Sequence, residues 1–233
     1  MSVIENFEVS PLLQKSNFVR PFRITFQKNG VNRYWDGVKS HDGLLEICRV
    51  SILIFNKDRR SFVFVKQFRP VVYYTCLRKL EGEDATSVSA EPHTPIGADG
   101  KPISLPSSAG ETLELCAGIV DKAGVSLEEI AADEVFEECG YRVEPSRLTK
   151  ITSMASSVGL SGTSGTLFYV EVTDSDLVPS AGGGNEEEGE SIEVVYWPIE
   201  RSSELLSMTE TKIPVSAQLL LGVLWFQQNV KNL

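Results

Sequence analysis

The chain has 233 residues, 42% hydrophobic and 23% charged, the balance of a globular protein with room for one sizeable core and a smaller appendage. Its net charge of −10 argues against binding nucleic acid through phosphate neutralisation, although a bound cation can reverse the field locally for a phosphate-bearing substrate. Cys48, Cys76, Cys116 and Cys139 lie far apart with no Cys-x-x-Cys pair, so no zinc site or dense disulfide framework is expected and a reducing compartment is. The opening MSVIENFEVSPLLQKS holds no signal-peptide apolar core, and no uncharged apolar run reaches membrane-spanning length. These features predict a cytoplasmic protein with no nucleic-acid or membrane partner.

Residues 22–42 mix aromatic and β-branched side chains around Lys28-Asn29-Gly30, and Asn-Gly between such runs predicts a hairpin. EICRVSILIFN (46–56) and SFVFVKQF (61–68), separated by charged residues 57–60, read as two paired strands with at least one largely buried. From about 82 to 110 the composition shifts to Gly, Pro, Ser, Thr, Asp and Glu, predicting a long polar loop or insertion. ETLELCA (111–117) reads as a strand, followed by a helix over 126–139. Ser126 with Glu129 fits a capping box, and Gly140 stands where a C′ glycine belongs. Strands are predicted at 148–155, 166–172 and 190–197, with a Gly/Glu-rich loop at 180–189. A final helix is predicted over 214–229, carrying Leu219, Leu220, Val223, Leu224 and Phe226. Strands outnumber helices without regular βαβα order, so the fold class is α+β, a mixed-sheet sandwich.

The informative segment is DEVFEECGY (133–141). An acidic run on a helix is usually a solvated face, but the helical wheel argues otherwise here. At about 100° per residue with Leu127 at zero, Ala131 falls at about 40°, Glu134 at about −20° and Glu138 at about +20°. These carboxylates continue the apolar stripe instead of opposing it. Inward carboxylates repel one another and lose hydration, so they call for raised pKa values or a bound cation. Glu134 and Glu138, one turn apart with Glu137 at their edge, suit oxygen ligation of a hard divalent ion such as Mg²⁺.

Ala117-Gly118 followed by Glu134-Val-Phe-Glu137-Glu138-Cys-Gly140-Tyr141 resembles the Nudix box, whose core is Glu-x-x-Glu-Glu-x-Gly after an upstream glycine. Three departures stand out. The spacing from Gly118 to the helix is one residue longer than the common pattern, Gly124 and Val125 replace the first acidic residue, and Asp133 stands where the family has Arg. That Arg normally orients a helix glutamate, whereas Asp133 is expected only to add repulsion. Phe64-Val65-Lys66-Gln67-Phe68-Arg69-Pro70 and Glu114-Leu-Cys-Ala117-Gly118 are similar to elements of ADP-ribose and nucleoside-diphosphate-sugar pyrophosphatases. The UDP-sugar pyrophosphatase branch is closer still, through Trp35-Asp-Gly-Val-Lys-Ser-His-Asp42, the long insertion, Ser126-Leu-Glu-Glu129 and the Gly-rich acidic loop 182–190.

The resemblance implies a Nudix fold, an α/β/α sandwich over 44–233 with a polar insertion at about 81–110, preceded by an N-terminal antiparallel β extension over 1–43. It implies a homodimer built through that extension. The implied reaction is Mg²⁺-dependent hydrolysis (Mn²⁺ a possible substitute) of UDP-glucose to UMP and glucose 1-phosphate. Glu134, Glu137 and Glu138 with the Ala117 carbonyl would hold the metal. Arg69 would hold a diphosphate oxygen or pair with Glu114. Glu137 and Glu190 are the candidate catalytic residues, Glu190 as general base with Glu187, Glu188 and Glu193 as alternates. Trp35 is a candidate for stacking on the base, and residues 156–165 for a flexible loop near the substrate. His41 and His93 read as structural or surface residues. Alternative readings are an ADP-ribose pyrophosphatase and, prompted by Asp133 and the missing acidic residue, a Nudix-fold nucleotide-sugar binding module without turnover.

Overall fold

A computed structural model describes residues 4, 6–16, 19–40, 48–80, 93–97, 99–185, 191–207 and 213–230. The central element is a seven-stranded mixed sheet. Two of its strands, β3 (Cys48–Asn56) and β4 (Ser61–Phe68), form a hairpin that is hydrogen-bonded only near its turn, from Ile54–Val63 to Asn56–Ser61. Beyond Ile54 they diverge. The gap is filled by one stretch of chain that changes partner at Leu115: β5 (Glu111–Glu114) runs along β4, and β6 (Cys116–Ile119) runs along β3. The single strand expected at 111–117 is therefore two, and the break turns Ala117 and Gly118 towards the helix that follows.

β7 (Thr149–Ser156) and β8 (Thr163–Val172) form an antiparallel pair, and β8 lies parallel to β3. The loop expected at 156–165 is thus shorter, because both strands extend into it. β9 (Ile192–Pro198) completes the sheet against the other side of β4.

Period-two alternation sends β3 and β4 side chains to opposite layers. Val50, Ile52, Ile54, Val63 and Val65 pack with Ile130, Ala131 and Val135 of α2 (Leu127–Cys139). Leu53, Phe55, Phe62 and Phe64 pack on the other face with Leu219, Val223 and Phe226 of α4 (Ala217–Asn229) and with Leu205 of α3 (Ser202–Leu206). Each such fully buried side chain contributes about 1.5–3 kcal/mol of transfer free energy. Helices on both faces of a mixed sheet make the expected α/β/α sandwich.

Two helices were not expected, the short α3 and a longer one after β4. α1 (Pro70–Arg78) begins directly after β4, with Pro70 at its first position, where a missing N–H costs nothing. Its β-branched and aromatic residues, PVVYYTCLR, carry little helical signal, and burial of Tyr73 and Leu77 decides its conformation.

β1 (Val19–Lys28) and β2 (Val31–Ser40) form a separate two-stranded antiparallel ribbon, as Asn-Gly predicted. Asn29 and Gly30 take φ of 55° and 76°, the pair of positive values that a two-residue hairpin turn needs. The ribbon meets the 157–162 turn through a Val38 N–H bond to the Leu160 carbonyl, 2.9 Å. Among the described residues no helix is long and apolar enough to cross a membrane.

Candidate active site

The geometry of the site is set by how α2 is held. Its N-terminus carries the full capping box: Ser126 Oγ accepts from the Glu129 N–H at 3.2 Å, and Glu129 Oε2 accepts from the Ser126 N–H at 2.9 Å. At the other end Gly140 adopts φ 78°. The last carbonyls are then capped by the glycine-rich loop: Gly183 N–H bonds to the Glu138 carbonyl (2.9 Å) and Gly184 N–H to that of Glu137 (3.1 Å). Gly182, Gly183 and Gly184 all have positive φ, and a Cβ on Gly182 would stand 2.9 Å from the Gly140 nitrogen. Only glycine allows this approach without strain. The loop flagged by composition is a clamp on the end of the acidic helix. Tyr141 anchors the same end, accepting from Asn56 Nδ2 at 3.0 Å and sharing a 2.9 Å bond with the Tyr196 hydroxyl.

The three glutamates stand at graded depths. Glu138 is buried, at 4% exposure, and accepts a 2.9 Å hydrogen bond from the Ala117 N–H. Burial of a carboxylate costs several kcal/mol, which such a bond offsets only in part. Glu134 is half-buried and Glu137 exposed. Gly118 makes the room for Glu134: a Cβ added there would overlap the Glu134 carboxylate. That is why a glycine is needed on β6 opposite this turn of α2. Ala117, Gly118, Glu134 and Glu137 line an open cleft of about 780 Å³, with Arg49, Lys122 and the 180–185 segment on its other walls. Burial pushes the Cys116 thiol well up, and Cys139 and Glu138 beside it push it further, so it stays protonated under the carboxylates.

An all-oxygen set of carboxylates, with backbone on one side and water on the other, fits a hard divalent cation and suits no soft metal. Among the described residues no three His, Cys, Asp or Glu side chains already converge into a cage. The Glu138 carboxylate is turned to the Ala117 N–H instead.

Asp133 departs from expectation. It lies on the outer side of α2, exposed, and pairs with Lys122 Nζ at 2.9 Å, which raises the Lys122 pKa. The predicted uncompensated repulsion is absent because Lys122, on the loop before the helix, supplies the opposite charge. Arg69 takes the second of its two expected roles. Its Nε and Nη2 both reach Glu114, at 2.8 Å each, a bidentate pair. Burial pushes the Glu114 carboxyl up, but Arg69, Thr112 and the more distant Arg49 outweigh it and leave the pKa below the ordinary value.

Trp35 is 55% exposed on the ribbon, where it lines a different cleft with Phe26 and Tyr34 and donates from Nε1 to the Gly159 carbonyl at 2.8 Å. Within one chain it is not brought beside Glu134. Glu190, Glu187, Glu188 and His41 lie outside the described residues. Glu193 is engaged by Lys66 Nζ at 2.6 Å. His93 sits in a backbone bridge with Val9. Sequence reasoning missed Arg49 and Lys122, both on the cleft wall. Arg49 had a usable signal, a lone cation heading the apolar run of β3.

No family model matches the chain. It is 43% identical over 212 residues, 91% of this chain and 89% of the relative, to uridine diphosphate glucose pyrophosphatase NUDT14 of Bos taurus. The chain belongs to the Nudix hydrolase family. The protein of the same name from Mus musculus is 39% identical over 94% of this chain and 92% of its own length. A crystal structure of an ADP compounds hydrolase superposes with TM-score 0.61 at 14% identity, covering 100% of this chain and 98% of its own, which shows the shared Nudix fold. The protein is an enzyme, a Nudix pyrophosphatase.

Proposed function

We propose that this Nudix enzyme hydrolyses the pyrophosphate bond of a nucleoside diphosphate sugar, UDP-glucose foremost, giving UMP and glucose 1-phosphate. The observation that carries the reading is the glycine-cradled carboxylate set of α2, in a chain 43% identical to a relative named as a UDP-glucose pyrophosphatase. Glu134, Glu137 and Glu138 would hold Mg²⁺, with Mn²⁺ as a substitute and Ala117 adding a backbone oxygen. When bound, the cation neutralises the phosphate oxygens and lowers the barrier to attack by water. The chain's own part is to hold the carboxylates at fixed depth through the capped helix. Glu137, exposed to the cleft, would share or bridge the cation, and Glu190 is the candidate general base, with Glu187, Glu188 and Glu193 as alternates.

Residues 1–43 form an extension that pairs two copies and presents Trp35 to the base, while 44–233 carry the chemistry. Support for this pairing is the ribbon's uncovered apolar face: Phe22, Ile24, Phe26, Val31 and Trp35 share one side by register and are 41–55% exposed. A lone two-stranded ribbon is marginal in water, so a covering surface is required. A cytoplasmic location agrees with the free thiols of Cys76, Cys116 and Cys139 among the described residues. Asp133 no longer favours a binding module without turnover, because its charge is met by Lys122.

Hydrolysis of UDP-glucose and ADP-ribose at equal concentration, with Mg²⁺, tests the substrate. UDP-glucose is expected to show the larger kcat/KM. A clear preference for ADP-ribose would overturn that choice while leaving pyrophosphate hydrolysis intact.

A further inference from the structure

Arg69 is paired with Glu114 and does not line the carboxylate cleft, whose described wall carries two cations, Arg49 and Lys122, the latter paired with Asp133. Arg49 is exposed, and its side chain forms no hydrogen bond or ion pair with any described residue. It stands on the wall shared by two clefts, the 780 Å³ cleft of the α2 carboxylates and a second of about 630 Å³. Ile119 is the other shared wall residue. A ligand lying across both would pass its middle over Arg49.

The second cleft runs between the facing ends of β7 and β8 and the start of α4. Ser156, Ser161, Thr163, Ser164 and Gln218 give it a wall of hydroxyls and one amide. Gln218 Oε1 accepts from the Ser51 hydroxyl at 3.3 Å, which orients the amide and leaves its N–H donors for a ligand. Among the described residues lining this cleft none is aromatic, and Arg49 alone is charged. A nucleobase stacks on aromatic faces and finds none here. A hexose, whose hydroxyls both donate and accept, matches serine, threonine and amide groups. Methylene and methyl surface from Met154 and Leu221 can face the ring's C–H side.

We infer that the second cleft is the glycosyl subsite and that Arg49, at its junction with the carboxylate cleft, binds the diphosphate. The substrate then lies with its sugar under the α4 N-terminus and its scissile bond beside α2. A guanidinium suits two phosphoryl oxygens at once, which a lysine cannot match. The assignment rests on the nucleotide-sugar reading above.

Calorimetric titration of the two products separately, glucose 1-phosphate and UMP, tests it without turnover. Gln218→Ala is expected to weaken glucose 1-phosphate about tenfold and to leave UMP within about twofold, the loss of one or two hydrogen bonds to a sugar. Arg49→Ala is expected to weaken both phosphates by about tenfold or more, and Arg49→Lys to recover only part. Ser164→Ala reads the same subsite should Gln218→Ala fold poorly. Weakened UMP with unchanged glucose 1-phosphate, or no change in either, overturns the assignment. A parent enzyme that releases no glucose 1-phosphate from UDP-glucose overturns the underlying function instead, and the two failures are read from different experiments.

Discussion

The carboxylate helix and the β1–β2 ribbon are the two regions that the sequence marks most plainly, and they are stabilised in opposite ways. α2 is held at both ends and along its inner face: capped by Ser126 and Glu129, clamped by Gly183 and Gly184, and packed through Ile130, Ala131 and Val135 on the sheet. Its costly feature, a buried Glu138, is held by structure within the same chain. The ribbon has the better local turn chemistry, with Asn29 and Gly30 both at positive φ, yet its apolar face stays in water. Local signals are enough to form either element. Only tertiary closure makes one of them self-sufficient, and the other awaits a second surface.

The largest expected effect strikes the closed region. Gly118→Ala puts a methyl into the Glu134 carboxylate, so either that glutamate or β6 must move. A displaced catalytic group costs about 10²-fold in rate. We expect kcat to fall by about that factor, with about 1–3 kcal/mol of destabilisation from overpacking, read by steady-state kinetics and denaturant titration. Unchanged kcat would show that the cradle is incidental.

Arg69→Ala removes the bidentate partner of a carboxylate only 17% exposed, with an expected stability loss of about 2–3 kcal/mol at neutral pH. The sign with pH follows from the lowered Glu114 pKa. A depressed carboxyl contributes stability above its unfolded pKa of about 4.3 and loses it as pH falls through the folded value. The parent should therefore lose stability on acidification below about pH 4, while the variant loses less over that window. Parallel unfolding curves from pH 7 to 3 check this.

For the ribbon, Ile24→Asp places a charge in the uncovered stripe. Sedimentation is expected to show the parent as a dimer and the variant with a dimer dissociation constant raised by about tenfold or more. A parent that stays monomeric at high concentration would remove the proposed role of residues 1–43. The smallest effect belongs to Asp133→Asn, which breaks a half-exposed pair with Lys122. Such pairs are worth about 0–1 kcal/mol, so the midpoint should shift by no more than a degree or two.

Much of this architecture was legible in the sequence, and for physical reasons. The wheel angles of Glu134 and Glu138 follow from helical periodicity, and the structure buries Glu138 and half-buries Glu134. Ser126, Gly140 and Asn29-Gly30 are local signals whose geometry does not depend on distant residues. What could not be read depends on distant contacts. α1 lacks helical composition and is fixed by burial of Tyr73 and Leu77. The split of 111–117 into two strands follows from the divergence of β3 and β4. The Lys122–Asp133 pair joins a loop to a helix across a turn that the box pattern alone does not describe. The choice of Arg69 between substrate and Glu114 rests on a contact between residues 45 apart in sequence, which no local signal describes.

The central claim is that the α2 carboxylates carry a divalent-ion-dependent hydrolysis. Its most direct test is glucose 1-phosphate release from UDP-glucose across a Mg²⁺ titration, for the parent and for Glu137→Gln and Glu138→Gln. The parent should turn over in proportion to Mg²⁺ occupancy and stop with chelator. Both variants should remain folded and lose about 10²–10⁴-fold in kcat. Turnover that persists in chelator, or variants that match the parent, would contradict it.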